Sequence, residues 1–226
     1  MAKLFIYEGH QVAVCARRTE LLEELTLLSE RVTAHYLDIN SPDSAQTLRA
    51  ILGQDGKTDL YFHSSGVGCH NVELDPEKEF NVLNTNCIGF ARCIDAAFNY
   101  FKENGGGHIA AISSIAGIMG LGAAPSYSAS KSFNNTYLQA LAQLSTMTGA
   151  NISITDIRPG FVKTALLDSS RNYPFLMDAE YAARKIYKAI IKRKRKCVVD
   201  WKYKIISALW KLIPDWLWVR LKIDAH

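Results

Sequence analysis

His108-Ile109-Ala110-Ala111-Ile112 is a brief apolar run that ends in Ser113-Ser114-Ile115-Ala116-Gly117. Such a run, too short for a helix and bounded by turn residues, reads as a strand buried on both faces. Similar runs lie at Gln11–Ala16, Val32–Leu37, Asp59–His63 and Ile152–Ile157, and Cys197-Val198-Val199 reads as a last strand. Helical patterns fill the intervals near 19–29, 42–52, 75–103, 126–148 and 179–192. Ser41-Pro42 and Asp75-Pro76 each place a cap residue before a proline that a first helical turn tolerates. Alternation of strand and helix predicts an α/β fold, a Rossmann-like doubly wound parallel sheet.

The 226 residues are 48% apolar and 21% charged, an ordinary composition for one globular unit. The five cysteines are scattered without metal-ligand spacing, which excludes a disulfide framework or zinc knuckle and fits a reducing compartment. No apolar stretch reaches spanning length and no signal peptide opens the chain, so the expectation is cytoplasmic. Charge is asymmetric: residues 184–226 hold 13 Lys/Arg against 3 Asp/Glu, and residues 1–183 hold 13 against 19. All four tryptophans fall in the final 26 residues, after the run Lys192-Arg193-Lys194-Arg195-Lys196. Basic charge mixed with Trp fits a solvated helix end with tryptophans capping the core or forming a dimer contact, the alternative being peripheral contact with a membrane surface. No nucleic-acid recognition module accompanies the charge. The division expected is residues 1–200 as the main domain and 201–226 as a basic, Trp-rich tail.

In a doubly wound sheet, ligands bind beyond the carboxyl ends of the strands. There Ser114 is followed, thirteen residues on, by Tyr127-Ser128-Ala129-Ser130-Lys131. Four residues is about one helical turn, so Tyr127 and Lys131 share a face, and an ammonium beside a phenol is expected to lower its pKa. Tyr127 then exchanges a proton with a carbonyl or alcohol oxygen that Ser114 also hydrogen-bonds. Taken alone, a Tyr and a Lys at this spacing fit any amphipathic helix equally well.

The ordered set Ser114, Tyr127, Lys131 resembles the catalytic signature of the short-chain dehydrogenase/reductase family. The resemblance implies a nicotinamide-dependent oxidoreductase, with Asn86 in a proton relay with Lys131 through its backbone carbonyl. His63-Ser64-Ser65-Gly66-Val67-Gly68 resembles the family's Asn-Asn-Ala-Gly stretch, with serines in place of the asparagines, and puts Ser65 and Gly66 against the adenine ribose. Asp38 matches the acidic residue at the adenine ring, or is a helix-approach cap. Arg158-Pro159-Gly160 with Thr164 resembles the segment framing the nicotinamide, to which Lys131 adds a ribose contact. Arg17 and Arg18 follow the first strand where an acidic residue would select NAD, so they imply NADP, the bland reading being a solvated loop.

The family opens with a strand and a glycine-rich loop, whereas Met1-Ala2-Lys3-Leu4-Phe5-Ile6-Tyr7-Glu8-Gly9 resembles the middle of the helix that follows. The expectation is a sheet without its first strand, in which the strands at 11–16 and 59–63 have no common neighbour. An internal Met taken as a start, or a shortened non-catalytic form acting as a binding or membrane-surface protein, would each explain that opening. Phe161 to Asp178 carries the apolar residues of a substrate lid, and with Ile118, Met119 and Leu121 it hints at an apolar ketone, aldehyde or alcohol. Family habit implies a homodimer or homotetramer through the helices near 75–103 and 126–148.

Overall fold

The computed structural model describes residues 1–54, 56–167 and 171–223. Six strands form in chain order: β1 Val12–Ala16, β2 Val32–Tyr36, β3 Leu60–His63, β4 Gly107–Ile112, β5 Ile152–Arg158 and β6 Lys196–Val198. The helices are α1 Ala2–Tyr7, α2 Glu20–Thr26, α3 Ser44–Gln54, α4 Pro76–Leu83, α5 Phe90–Glu103, α6 Pro125–Thr148, α7 Ala179–Ile191, α8 Trp201–Trp210 and α9 Asp215–Trp218. A π-helical segment, Asn84–Gly89, joins α4 to α5, and a 3₁₀ turn, Ile115–Gly117, follows β4.

Every strand pairing is parallel. The sheet is divided, with β1–β2 as one piece and β3–β4–β5–β6 as the other. This is the break expected between the strands at 11–16 and 59–63. Burial reports it too: β4 and β5 are almost wholly buried, whereas β1 and β3 are mostly half-exposed. Each therefore leaves one row of backbone groups outside the ladder.

Alternating side chains of the four-stranded piece feed two cores. Ile109 and Ala111 of β4 pack with Phe90, Ile94, Phe101 and Leu138 under α5 and α6. Ala110, between them, packs on the opposite side with Phe5, Ile186, Ile190 and Tyr203 from α1, α7 and α8. The three-layer arrangement carries the loops after β3, β4 and β5 to one end of the sheet, where the serines, Tyr127 and Lys131 stand.

Two helices reveal how α6 is started. Pro125 occupies its first turn and Ala124 offers no side-chain cap. Glu79 of α4 substitutes from outside, accepting from Ser126 N at 3.1 Å and Ser126 Oγ at 3.0 Å, and from Asn71 Nδ2 at 2.8 Å. A carboxylate at a helix N-terminus satisfies orphan amides and complements the dipole. Glu79→Ala should cost about 1–3 kcal/mol in urea denaturation by orphaning those donors. An unchanged midpoint would refute the role.

Candidate active site

Gly117 has no room for a side chain: a Cβ there would lie 2.4 Å from the Lys131 carbonyl carbon. The turn after β4 therefore rests directly on the α6 backbone, and this brings Ser114 beside Tyr127. Ser114 lies close enough to the Tyr127 hydroxyl to lower its pKa. Ser114 Oγ also accepts from Ala116 N at 3.0 Å and reaches the Pro159 carbonyl at 3.4 Å, so β4 and β5 both orient it. Ile115 N donates to the same carbonyl at 3.2 Å.

Lys131 is buried, and its Nζ donates to the Ile112 carbonyl at 3.3 Å while lying 5.7 Å from the centre of the Tyr127 ring. Burial disfavours its charge and brings its pKa down from 10.5 to about 8. The expected lowering of the Tyr127 pKa is not met. Enclosure by protein raises it, opposed only by the Ser114 hydrogen bond. Lys131 is not among the groups that shift it, so desolvation of the phenolate wins. Tyr127 is a neutral phenol throughout the physiological range.

Asn86 sits in the π segment, a widening of the helical ladder often found at functional sites. Its side chain accepts from Val67 N at 2.9 Å and donates to Val67 O at 2.7 Å and Ser130 Oγ at 3.0 Å. Its backbone carbonyl, expected to serve a water, accepts from Asn134 Nδ2 at 2.7 Å. The loop after β2 is tied to the same segment, since Asn40 Nδ2 donates to Thr85 Oγ1 at 3.1 Å.

Among the remaining candidates, Gly66 lies at the centre: a Cβ there would stand 3.3 Å from Asn86 Oδ1 and 3.5 Å from Lys131 Nζ. Ser65 is exposed beside it. Asp38 accepts from Asn40 N at 3.0 Å, the local cap that the sequence left open as an alternative. Arg17 and Arg18 are exposed in the turn after β1, and Thr164 is exposed on the loop after β5. Gly160 is packed upon from within, because a Cβ there would collide with the Tyr203 ring at 2.2 Å. Residues 168–170 of the expected lid lie outside the described residues.

His63, Tyr203 and Glu79 were missed by sequence reasoning. His63 is buried, its Nδ1 bonded to Tyr61 Oη at 2.8 Å and its Nε2 without a partner. Burial first, and the Lys131 ammonium second, push its pKa down to about 3, so the imidazole is neutral. Counting back from Gly66, His63 and Ser64 occupy the two asparagine positions of the Asn-Asn-Ala-Gly match and Ser65 the alanine, which corrects the reading of serines at both asparagines and could have flagged His63. Tyr203 of α8 accepts from Phe161 N at 3.1 Å, and its hydroxyl faces the Pro174 and Phe175 carbonyls at 2.9 and 3.1 Å. The tail helix thereby holds both ends of the loop expected to close over substrate. A cleft of about 480 Å³ opens among Ile118, Met119, Leu121, Pro125 and Ser128.

The donor set suits one end of a nicotinamide dinucleotide. Lys131 is a buried ammonium with a single carbonyl partner, leaving N–H donors for ribose hydroxyls, and the bare Gly66 leaves space beside it.

A sequence model described as short chain dehydrogenase matches residues 1–173. The chain belongs to that family, the short-chain dehydrogenases/reductases, and is an oxidoreductase of that type. It is 30% identical to an uncharacterized oxidoreductase of Myxococcus xanthus, covering 79% of this chain and 72% of that protein. An uncharacterized oxidoreductase of Mycobacterium tuberculosis is 26% identical over 95% of this chain and 88% of its own. The fold matches a short-chain dehydrogenase from Sphingobium yanoikuyae in complex with NADPH, with a TM-score of 0.78, 18% identity, and coverage of 100% of this chain and 92% of that one.

Proposed function

We propose that this chain transfers a hydride between NADP and an apolar ketone or aldehyde, or the corresponding alcohol. The observation that carries the reading is the Lys131 ammonium, buried beside the Tyr127 ring and the Gly66 turn with one carbonyl to hold it. A bound nicotinamide would supply or accept the hydride. Tyr127 gives its proton to the carbonyl oxygen, and Ser114, beside it, donates to that same oxygen. Lys131 holds ribose and replenishes the proton through Asn86. Neutral His63 completes a polar floor beneath them.

On this reading Arg17 and Arg18 take a 2′-phosphate, which favours NADP over NAD, as does the likeness to a dehydrogenase in complex with NADPH. Asp38, Ser65 and Gly66 meet the adenosine, and Pro159, Gly160 and Thr164 frame the nicotinamide. The apolar cleft walls, Ile118, Met119 and Leu121, support an apolar substrate. Residues 1–200 form the catalytic domain and 201–226 a tail, in a cytosolic protein whose cysteines are all free among the described residues. Exposed Phe80, Ile88, Phe133 and Met147 on the helices of 75–103 and 126–148 support assembly as a homodimer or homotetramer.

Titration of the chain with NADPH and NADH, followed by nicotinamide fluorescence and thermal shift, tests the reading. Saturable binding with NADPH preferred is expected. A folded chain that binds neither would sink it in favour of a non-catalytic binding protein.

A further inference from the structure

The tail helix α8 is apolar on two opposite faces. Tyr203 and Ser207 are buried against the domain. On the other side Trp201, Ile205 and Leu209, with Leu212 in the turn that follows, recur at helical spacing within a narrow arc. These four are 50 to 78% exposed. Beyond Pro214, which starts α9, Trp216 and Val219 extend the exposed apolar surface. An ordinary surface helix would be polar here.

Cations border this surface. Lys202 and Lys204 flank the α8 stripe, Lys211 follows it, and Arg220 lies over the Trp216 ring at 5.8 Å. The nearby acids are fewer: Asp200 is engaged by Tyr181 Oη at 2.7 Å and Lys202 N at 2.9 Å, and Asp215 opens α9. The charge of Lys196 is disfavoured by burial first and then by Arg158, with Asp156 opposing and Lys211 and Arg195 adding, so cations of the basic run and of the tail act on the same group.

We infer that the outer face of α8 and α9 seats this protein on an anionic lipid bilayer, with tryptophans and aliphatic side chains entering the interface and lysines meeting the headgroups. Two properties select this occupant. The face is the convex outside of a helix rather than a groove shaped for a peptide. In a symmetric contact with a second copy, the same cations would oppose each other. No helix among the described residues is long and apolar enough to cross a membrane, so the contact is peripheral. The seat also bears on the cleft, because Trp218, between Trp216 and Val219, turns inward and donates from Nε1 to the Gly120 carbonyl at 2.6 Å.

Sedimentation of the full chain with vesicles tests the inference, using phosphatidylcholine alone and phosphatidylcholine mixed with phosphatidylglycerol. Binding is expected to the anionic vesicles, weakened by salt, and accompanied by a blue shift in Trp emission that Trp201→Phe with Trp216→Phe removes. Reversing Lys202, Lys204 and Lys211 to Glu should weaken it on the order of a hundredfold or more. Leu209→Ser with Leu212→Ser should weaken it about tenfold or more, with the thermal midpoint retained because both residues are exposed. Absence of binding to anionic vesicles at low salt would overturn the inference. So would binding indifferent to both sets of substitutions, or a dimer in solution that dissociates with the Leu209 and Leu212 changes.

Discussion

Tyr127→Phe is expected to reduce carbonyl turnover by about 10²–10⁴-fold while leaving cofactor affinity and the thermal midpoint near those of the parent. The fold should tolerate it because the ring keeps its packing on the Gly68 turn, where a Cβ would lie 3.0 Å away. Lys131 sets the pH range over which the parent works. With a pKa near 8 in the free protein, its ammonium is present below that value and lost above it. Tyr127 remains protonated across the same range, since enclosure raises its pKa from 10. For reduction, kcat/KM should therefore be flat below about pH 8 and fall above it. Lys131→Arg, which stays charged, should remove that limb even if its plateau is lower. A limb that persists in the arginine variant would assign it elsewhere.

Lys131 also exposes a conflict between activity and stability. A pKa lowered from 10.5 to about 8 means that the folded state disfavours the charge by about 3 kcal/mol. Below pH 8 that cost is full, and it fades as pH rises from 8 toward 10.5, so stability should climb through that window. Lys131→Met should make the protein more stable at neutral pH by about 1–2 kcal/mol, less than the full amount because the Ile112 carbonyl loses its donor. It should be inactive. A destabilised Lys131→Met variant would mean that the ammonium is a structural residue rather than one held for chemistry.

How far the sequence was legible depends on whether a feature is local. The strands were readable from short β-branched runs because a parallel sheet buries both faces, and β1 through β5 fall within a residue or two of the stretches that predicted them. The break between β1 and β3 was readable too, from Met1–Gly9 as helix rather than strand. Ser114, Tyr127 and Lys131 converge because their spacing follows one strand, one turn and one helix. Non-local facts were not readable. The π segment Asn84–Gly89 sits inside a stretch that patterns as one helix from 75 to 103, and its bond to the loop after β2, from Asn40 Nδ2 to Thr85 Oγ1, spans 45 residues. Glu79 and Ser126 are 47 residues apart, and Tyr203 and Phe161 are 42 apart. The tail was read as composition, and its organisation into α8 and α9 came only with Tyr203 and Trp218 packed inward. The pKa of Tyr127 was misjudged because sequence spacing gives proximity to Lys131 but not which atom of the ring the ammonium approaches.

Asp156→Ala is expected to destabilise the protein by about 3–5 kcal/mol, more than any other single change on β5. Asp156 is completely buried, and one oxygen accepts from Arg158 Nε at 2.7 Å and Nη2 at 2.6 Å. The other accepts from Ser113 Oγ at 2.5 Å. Its residue pairs with Ala111 on β4 and Lys196 on β6, and the carboxylate ties the turn after β4 to the end of β5. Alanine would leave the buried Arg158 guanidinium without its counter-charge and the Ser113 hydroxyl with only the Ile157 carbonyl, at 3.0 Å. The loss should be visible as a lower urea midpoint with an unchanged slope. Replacing both partners, Asp156→Leu with Arg158→Met, should recover most of it, because a well-packed apolar pair costs no desolvation. If the double variant is as unstable as the single one, an orphaned charge is not the cause. The functional consequence separates the two variants from the parent alike. Ser113 precedes Ser114, and reducing its hold on β5 to the Ile157 carbonyl loosens the neighbour of Tyr127, so the stabilised double variant should fold and still turn over more slowly than the parent.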